Sequence, residues 1–557
     1  MDEVTFRTEI NHAVAKGDPG RLLRALRSVQ DHVSYIQSLP SNKFITILKL
    51  LGSTLLFKDI RDIHLKYRPG PGRCYGAVDG TTLADISEQQ VVPFYRLVNI
   101  RLAAGAGLPV GVYKPILHYT AIMGEGELAK KISREMAARN VKRDLECFNH
   151  SLSALVWNKY GHYRRSVRIA PRHLAAHDPS QLNCVSFTRM YTIGYGGIKE
   201  EALEIHRDMA SHGISPDKES YYFLMIAMAR EADLPGVKDI LTRVWGIDVD
   251  AIMDGISVDE HFVSSINPTS PVYPDEELLR IVAHCFGINN DVPTALRIVD
   301  SISRRYSLPI SLNTWEELFR WTYALSRRKL PKGVNGRLPF RSPERLFRTM
   351  QAEPYNIQPT FWMYTLLFRN AYRLEDPAKL MGYFEEAIKV FQEKIWKENN
   401  KAMAAIEKAR AEVRRGIVPA TPILILERRQ DALGLERRYA EHEMREWFKL
   451  FLSLGDNRSQ KKVWLRGVGF SWEREMVPNL VRTFERFAPA RIAYETTGGW
   501  LYFTLRGNEE IVSQLERKVK IEAEKYMKMT GTHFEDAYSR NRNPKKIGSR
   551  VTNALGI

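Results

Sequence analysis

Few residues in this 557-residue chain are placed to do chemistry, and the densest group is cationic. The run HYRRSVRIAPRHLAAHD carries Arg164, Arg165, Arg168 and Arg172, which could contact phosphates or form the solvated face of a helix; both readings stay open. In the same run His173 and His177 stand one helical turn apart, with Cys184 beyond. No fourth ligand follows at zinc-site spacing, so no metal is expected. Cys74, Cys147, Cys184 and Cys285 lie far apart with no CxxC among them, which indicates neither a disulfide framework nor a zinc finger and fits a reducing compartment.

Catalytic constellations lack their parts. There is no HExxH, no GxxxxGK[ST], no GxSxG and no HxE with PCxxC, and His442-Glu443 has no cysteine pair downstream. No cluster of carboxylates suited to nuclease metal ions follows the helical region. The expectation is a binding protein, not an enzyme, with no cofactor. Lys+Arg 82 against Asp+Glu 65 gives a formal charge of +17, which suits an acidic partner such as nucleic acid or a ribonucleoprotein face. The apolar stretch from Phe44 to Phe57 is too short for a membrane span and contains Lys49. Asp2, Glu3 and Glu9 make the N-terminus unlike an acidic-poor transit peptide, so the sequence itself does not establish localisation.

The elements that would position a binding surface are helices in pairs. In VSFTRMYTIGYGGIKEEALEIHRDMASHGISPD, Phe187, Met190 and Tyr191 form one apolar stripe that ends at Gly196-Gly197. Ala202, Leu203, Ile205 and Met209 form the next, closed by Gly213 and Pro216. Neither helix could bury its stripe alone, so stacking on neighbours is required. Tyr113, Phe148, Phe187 and Tyr221 recur at roughly 35-residue intervals, and the Ala129 to Met136 step repeats that of Ala202 to Met209.

Ala202, Met209, Gly213, Pro216 and Asp217, with the aromatic starts, resemble the pentatricopeptide repeat, the helical module of organellar RNA-binding proteins. The tetratricopeptide pattern W-x₂-L-G-x₂-Y is missing. The resemblance implies a mainly α fold, a right-handed α-solenoid of helix-turn-helix repeats, to which ARIAYETTGGWLYFTLRG adds a β-hairpin in a small C-terminal α+β domain. The expected organisation is degenerate helical repeats over 1–64, an exposed loop over 65–90 and the repeat array over 91–390, with insertions near 251–274 and 326–343. Long charged helices over 391–450 and the α+β unit with a basic tail over 451–557 complete it.

By the same resemblance, one base is read per repeat by the residue after the aromatic and the residue after the terminal Pro. Carried over, these are Lys114 with Asp144, Asn149 with an unassigned partner, Thr188 with Asp217, then Tyr222 and, in the last unit, Thr365. Thr188 with Asp217 resembles a purine-reading pair. Arg143 replaces the terminal Pro, and Glu146 and Glu219 stand where an apolar side chain would sandwich a base. The resemblance implies a mitochondrial protein, similar to fungal members, that binds single-stranded mitochondrial RNA and promotes its stability, processing or translation. A second reading is a scaffold on the mitochondrial ribosome or an inner-membrane translation complex.

Overall fold

In the computed structural model, the described chain omits residues 1, 53–62, 64–82, 104–107, 109, 158–193, 195, 256–265, 327–335, 418, 420–422, 457–475, 489–490, 497–498 and 505–557. Two units divide the chain, one of 1–367 and 386–439, the other of 368–385 and 440–557.

The first unit opens with α1 (Glu3–Lys16), α2 (Pro19–Leu26), α3 (Val33–Ser38) and α4 (Ser41–Gly52). Gly17 ends α1 in the left-handed region, and Asp18 caps α2 by accepting from the Arg21 N–H, with Pro19 at the first helical position. The helix α5 (Leu83–Ala103) begins inside the stretch expected as loop, because LADISEQQ is built largely of good helix formers despite its polarity.

The array proper alternates first and second helices. First helices are α6 (Tyr113–Met123), α8 (Leu145–Val156), α10 (Lys218–Arg230), α13 (Glu276–Ile288) and α15 (Leu312–Leu325). Second helices are α7 (Gly126–Ala138), α9 (Ile198–Ser211), α11 (Leu234–Trp245), α14 (Val292–Tyr306) and α16 (Ser342–Gln351), while α12 (Val249–Met253) is a short addition. Each first helix packs on the next first helix, and the intervening second helix packs on its own partner. The landmarks Ala129, Met136, Ala202 and Met209 are all buried, as packing residues should be.

The helix anticipated around Phe187 lies outside the described residues, and α8 packs directly on both α9 and α10. The second helix of the repeat begun by α8 is therefore α9, with 158–193 set between the two. The flanks of that stretch are pinned to neighbouring residues of one helix end: Arg230 lies over the Trp157 ring at 5.2 Å, and Glu231 accepts from the Gly194 and Lys199 N–H groups.

Further along the chain come α17 (Phe361–Leu374), α18 (Pro377–Val390), a π-helical turn, Phe391–Trp396, and then α19 (Lys397–Arg414) and α20 (Ile423–Asp456). Antiparallel pairing of α19 with the first half of α20 is fixed by Arg410–Glu427 at 2.7 Å and Arg437 over Trp396 at 5.1 Å.

The second unit holds α21 (Val477–Thr483) and the antiparallel strands β1 (Arg491–Thr496) and β2 (Gly499–Thr504), with Thr496 opposite Gly499. The hairpin forms, but a separate small α+β domain is not supported. Its helices share one aromatic core with earlier ones: Trp447 stacks on Phe368 at 4.6 Å, and Phe384 meets Phe484 at 4.4 Å. The helix expected after the hairpin and the basic tail lie outside the described residues.

Candidate nucleic-acid interface

The first helices share one cap chemistry. Asp144, Asp217 and Asp275 each sit just before a first helix and accept from a backbone N–H of its first turn, satisfying a donor with no intrahelical partner. Ser311 and Thr360 hold the same place before α15 and α17. Five residues after these caps stand Asn149, Tyr222, Arg280, Glu316 and Thr365.

Because the first helices lie side by side, Asn149, Tyr222 and Glu316 at that fifth place each meet the residue before the following first helix, and Lys114, at the start of α6, meets Asp144. The Lys114 ammonium donates to Asp144 at 2.9 Å, Asn149 Nδ2 to Asp217 Oδ1 at 3.0 Å, and Tyr222 Oη to Asp275 Oδ1 at 2.9 Å. Thr360 Oγ1 donates to Glu316 Oε1 at 2.9 Å. The recurring geometry supplies the partner that sequence could not assign to Asn149: Asp217 is held by Asn149 and Ser220, and Ser220 Oγ also donates to Asn149 Oδ1 at 2.7 Å. Counting five residues from each cap would have found Arg280 and Glu316, which the aromatic landmarks missed.

Exposure along this row is uneven. Lys114 and Asp144 are 44% and 56% exposed, whereas Asn149 is 5% exposed and Tyr222 and Thr365 are also buried. Tyr222 stacks on Trp245 at 5.8 Å, and Thr365 Oγ1 donates to the Phe361 carbonyl at 3.2 Å. Thr188, Arg164, Arg165 and Arg168 lie outside the described residues. Arg143, standing for the terminal Pro, pairs with Asp208 at 2.7 Å and covers the Phe148 ring, so it ties the start of α8 to α9.

The first turns are rich in carboxylates. Glu146 pairs with Lys114, Glu277 with Arg280, and Lys218 with Asp275. Burial raises the Glu219 carboxyl, and nearby Asp217, Asp275 and Glu277 raise it further against the opposing Lys218. Burial pushes the Tyr222 phenol upward, with Asp275 adding to the effect, and burial followed by His118 lowers His150 to about 4.

Partial burial raises the Asp144 carboxyl, but hydrogen bonds from Lys114 and from Cys147 together outweigh it and hold the group at about 2. A depressed folded-state pKa stabilises above the unfolded value and loses that stabilisation as pH falls towards the folded one. The thermal advantage of the native chain over Asp144→Asn is therefore expected to shrink between about pH 4 and about pH 2. Solvent screening keeps it on the order of 1 kcal/mol. Melting both proteins across that range checks this, and an advantage constant with pH would contradict it.

Residues 218–335 match the family ATP13, described as mitochondrial ATPase expression. No curated protein matches the chain. Among solved structures, the pentatricopeptide repeat protein PPR10 in complex with an 18-nt psaJ RNA element is 12% identical, with a TM-score of 0.34, covering 87% of this chain and 62% of that one. The structure of PPR10 from maize is likewise 12% identical, with a TM-score of 0.35, covering 87% of this chain and 59% of that one. This chain thus spans about 62% or less of those structures' lengths. Within the paired helices, residues 218–335 resemble the mitochondrial ATPase expression family.

Proposed function

We propose that this chain is a mitochondrial protein that binds a single-stranded organellar RNA through its row of first helices. In this reading it promotes the RNA's stability, processing or translation, and the transcript is one needed for expression of the mitochondrial ATPase. The observation that carries the reading is the recurring polar pair between neighbouring first helices, Asn149–Asp217, Tyr222–Asp275 and Glu316–Thr360 from the fifth residue of one helix to the residue before the next, with Lys114–Asp144 joining α6 to α8. Such amides, carboxylates and hydroxyls suit the Watson–Crick edges of unpaired bases, one per repeat. The family match over 218–335 supports the compartment and the ATPase. The role is binding, without a cofactor.

Crosslinking in mitochondria followed by sequencing of the bound RNA tests this. One transcript footprint is the expected result. Ribosomal RNA alone would favour a scaffold on the mitochondrial ribosome or an inner-membrane translation complex, a reading that the burial of Asn149, Tyr222 and Thr365 supports.

Arg164, Arg165 and Arg168 enter as phosphate contacts, giving affinity without sequence. Replacing all three with alanine is expected to flatten the slope of log affinity against log salt by about 2, at ~0.7 per single-strand phosphate. Preference between RNAs should not change. Titrations at several salt concentrations check it, and an unaltered slope would assign the arginines to a solvated face.

A further inference from the structure

The hairpin of α19 and α20 carries a surface that the array does not use. At its turn, Val413, Arg414, Arg415, Gly416 and Ile417 form an uninterrupted exposed run. Val413 is 50% and Ile417 54% exposed, and Met403 on the same helix is 45% exposed. Gly416, at φ +77°, ends the helix: its N–H reaches the Val413 carbonyl and that of Ile417 the Glu412 carbonyl at 2.9 Å, so the tip is a formed cap. Ala402, Ile406 and Ala409 of α19 are buried, so the exposed Met403 and Val413 sit apart from the hairpin's own packing.

We propose that this tip docks on an anionic lipid surface. Charge and shape choose the partner together. Arg414 and Arg415 are exposed beside Val413 and Ile417, with Lys408 on a preceding turn; Glu407, Glu412 and Glu427, the last paired with Arg410, are the acidic residues there. Guanidinium groups flanked by aliphatic side chains match the boundary between headgroups and acyl chains, where the cations meet lipid phosphates and the aliphatics leave water. RNA fits less well, because the exposed run holds no aromatic ring to stack on a base and no amide or hydroxyl to read one. No helix among the described residues is long and apolar enough to cross a membrane, so attachment through them would be peripheral. This inference stands independently of the RNA reading.

The test is sedimentation of the full chain with vesicles of phosphatidylcholine alone, or of phosphatidylcholine mixed with phosphatidylglycerol. Binding is expected to the mixed vesicles only. Arg414→Gln with Arg415→Gln should lower it roughly thirtyfold, about fivefold for each cation near the surface. Val413→Ser with Ile417→Ser should lower it about tenfold through lost apolar burial. A charge-matched control, Arg243→Gln with Arg304→Gln at exposed positions on other helices, should bind like the native chain. The proposal is overturned if the control loses as much as the arginine pair, if the serine pair binds like the native chain, or if pure phosphatidylcholine binds equally. All these substitutions fall on exposed side chains, and unchanged melting temperatures would confirm that the fold is retained.

Discussion

Glu317→Ala is expected to destabilise the first unit by roughly 3–5 kcal/mol, the cost of removing one partner from a buried polar network. Glu317 is 4% exposed and its Oε1 accepts from His284 Nδ1 and from Trp321 Nε1, both at 2.8 Å, with Arg320 at 3.5 Å from Oε2. Alanine would take this acceptor from several donors at once and leave a void between α13 and α15. The neighbouring surface cannot close over it easily. A Cβ on Gly287 would fall 2.1 Å from Trp321 Cδ1, so the indole already lies against the backbone of α13. Glu317→Gln retains an acceptor oxygen and should lose clearly less. Urea unfolding followed by circular dichroism checks both, and a loss below about 1 kcal/mol for alanine would mean that the network contributes little.

Why the sequence shows some of this and hides the rest follows from how far apart the interacting residues lie. The helix landmarks are local, so Gly17-Asp18-Pro19 announces the turn between α1 and α2, and the Ala202 to Met209 spacing announces α9. The partner of α9 is not local. It is α8, which ends at Val156, and a stretch placed between the two helices of one repeat leaves every landmark on either side unchanged. Phe187, Met190 and Tyr191, read from spacing, lie outside the described residues. Contacts such as the hydrogen bond from Asn149 to Asp217, across 68 positions, show that α8 and α10 are adjacent.

The hairpin at Thr496 and Gly499 was legible because its turn residues and alternation are also local. Its company was not. The aromatic core that joins Phe384, Trp447 and Phe484 depends on residues a hundred positions apart, which composition cannot pair. Burial of Asn149 and Tyr222 was hidden for the same reason, since the phenol is covered by Trp245 of a second helix and the amide by Ser220 and Asp217.

The pair Asn149–Asp217 also gives the largest expected effect on function. Asp217 serves two ends, capping α10 through the Ser220 N–H and accepting from Asn149 Nδ2. Asp217→Ala should therefore cost about 1 kcal/mol for the cap and about 1–3 kcal/mol for the buried amide left without its acceptor. That variant alone cannot separate folding from reading. Asp217→Asn can, because asparagine caps a helix as well as aspartate while exchanging one acceptor oxygen for a donor. If the pair reads a base, Asp217→Asn should weaken the crosslinked RNA by about 1–3 kcal/mol, roughly 5- to 150-fold, and bind best to an RNA changed at a single base. Its melting temperature and salt slope should stay near native. Asn149→Ala should weaken the same RNA position, and the two losses should be non-additive because the side chains touch. Equal weakening across unrelated RNAs, or a fall in stability with no change in preference, would assign Asn149 and Asp217 to holding α8 against α10 and leave recognition to another surface.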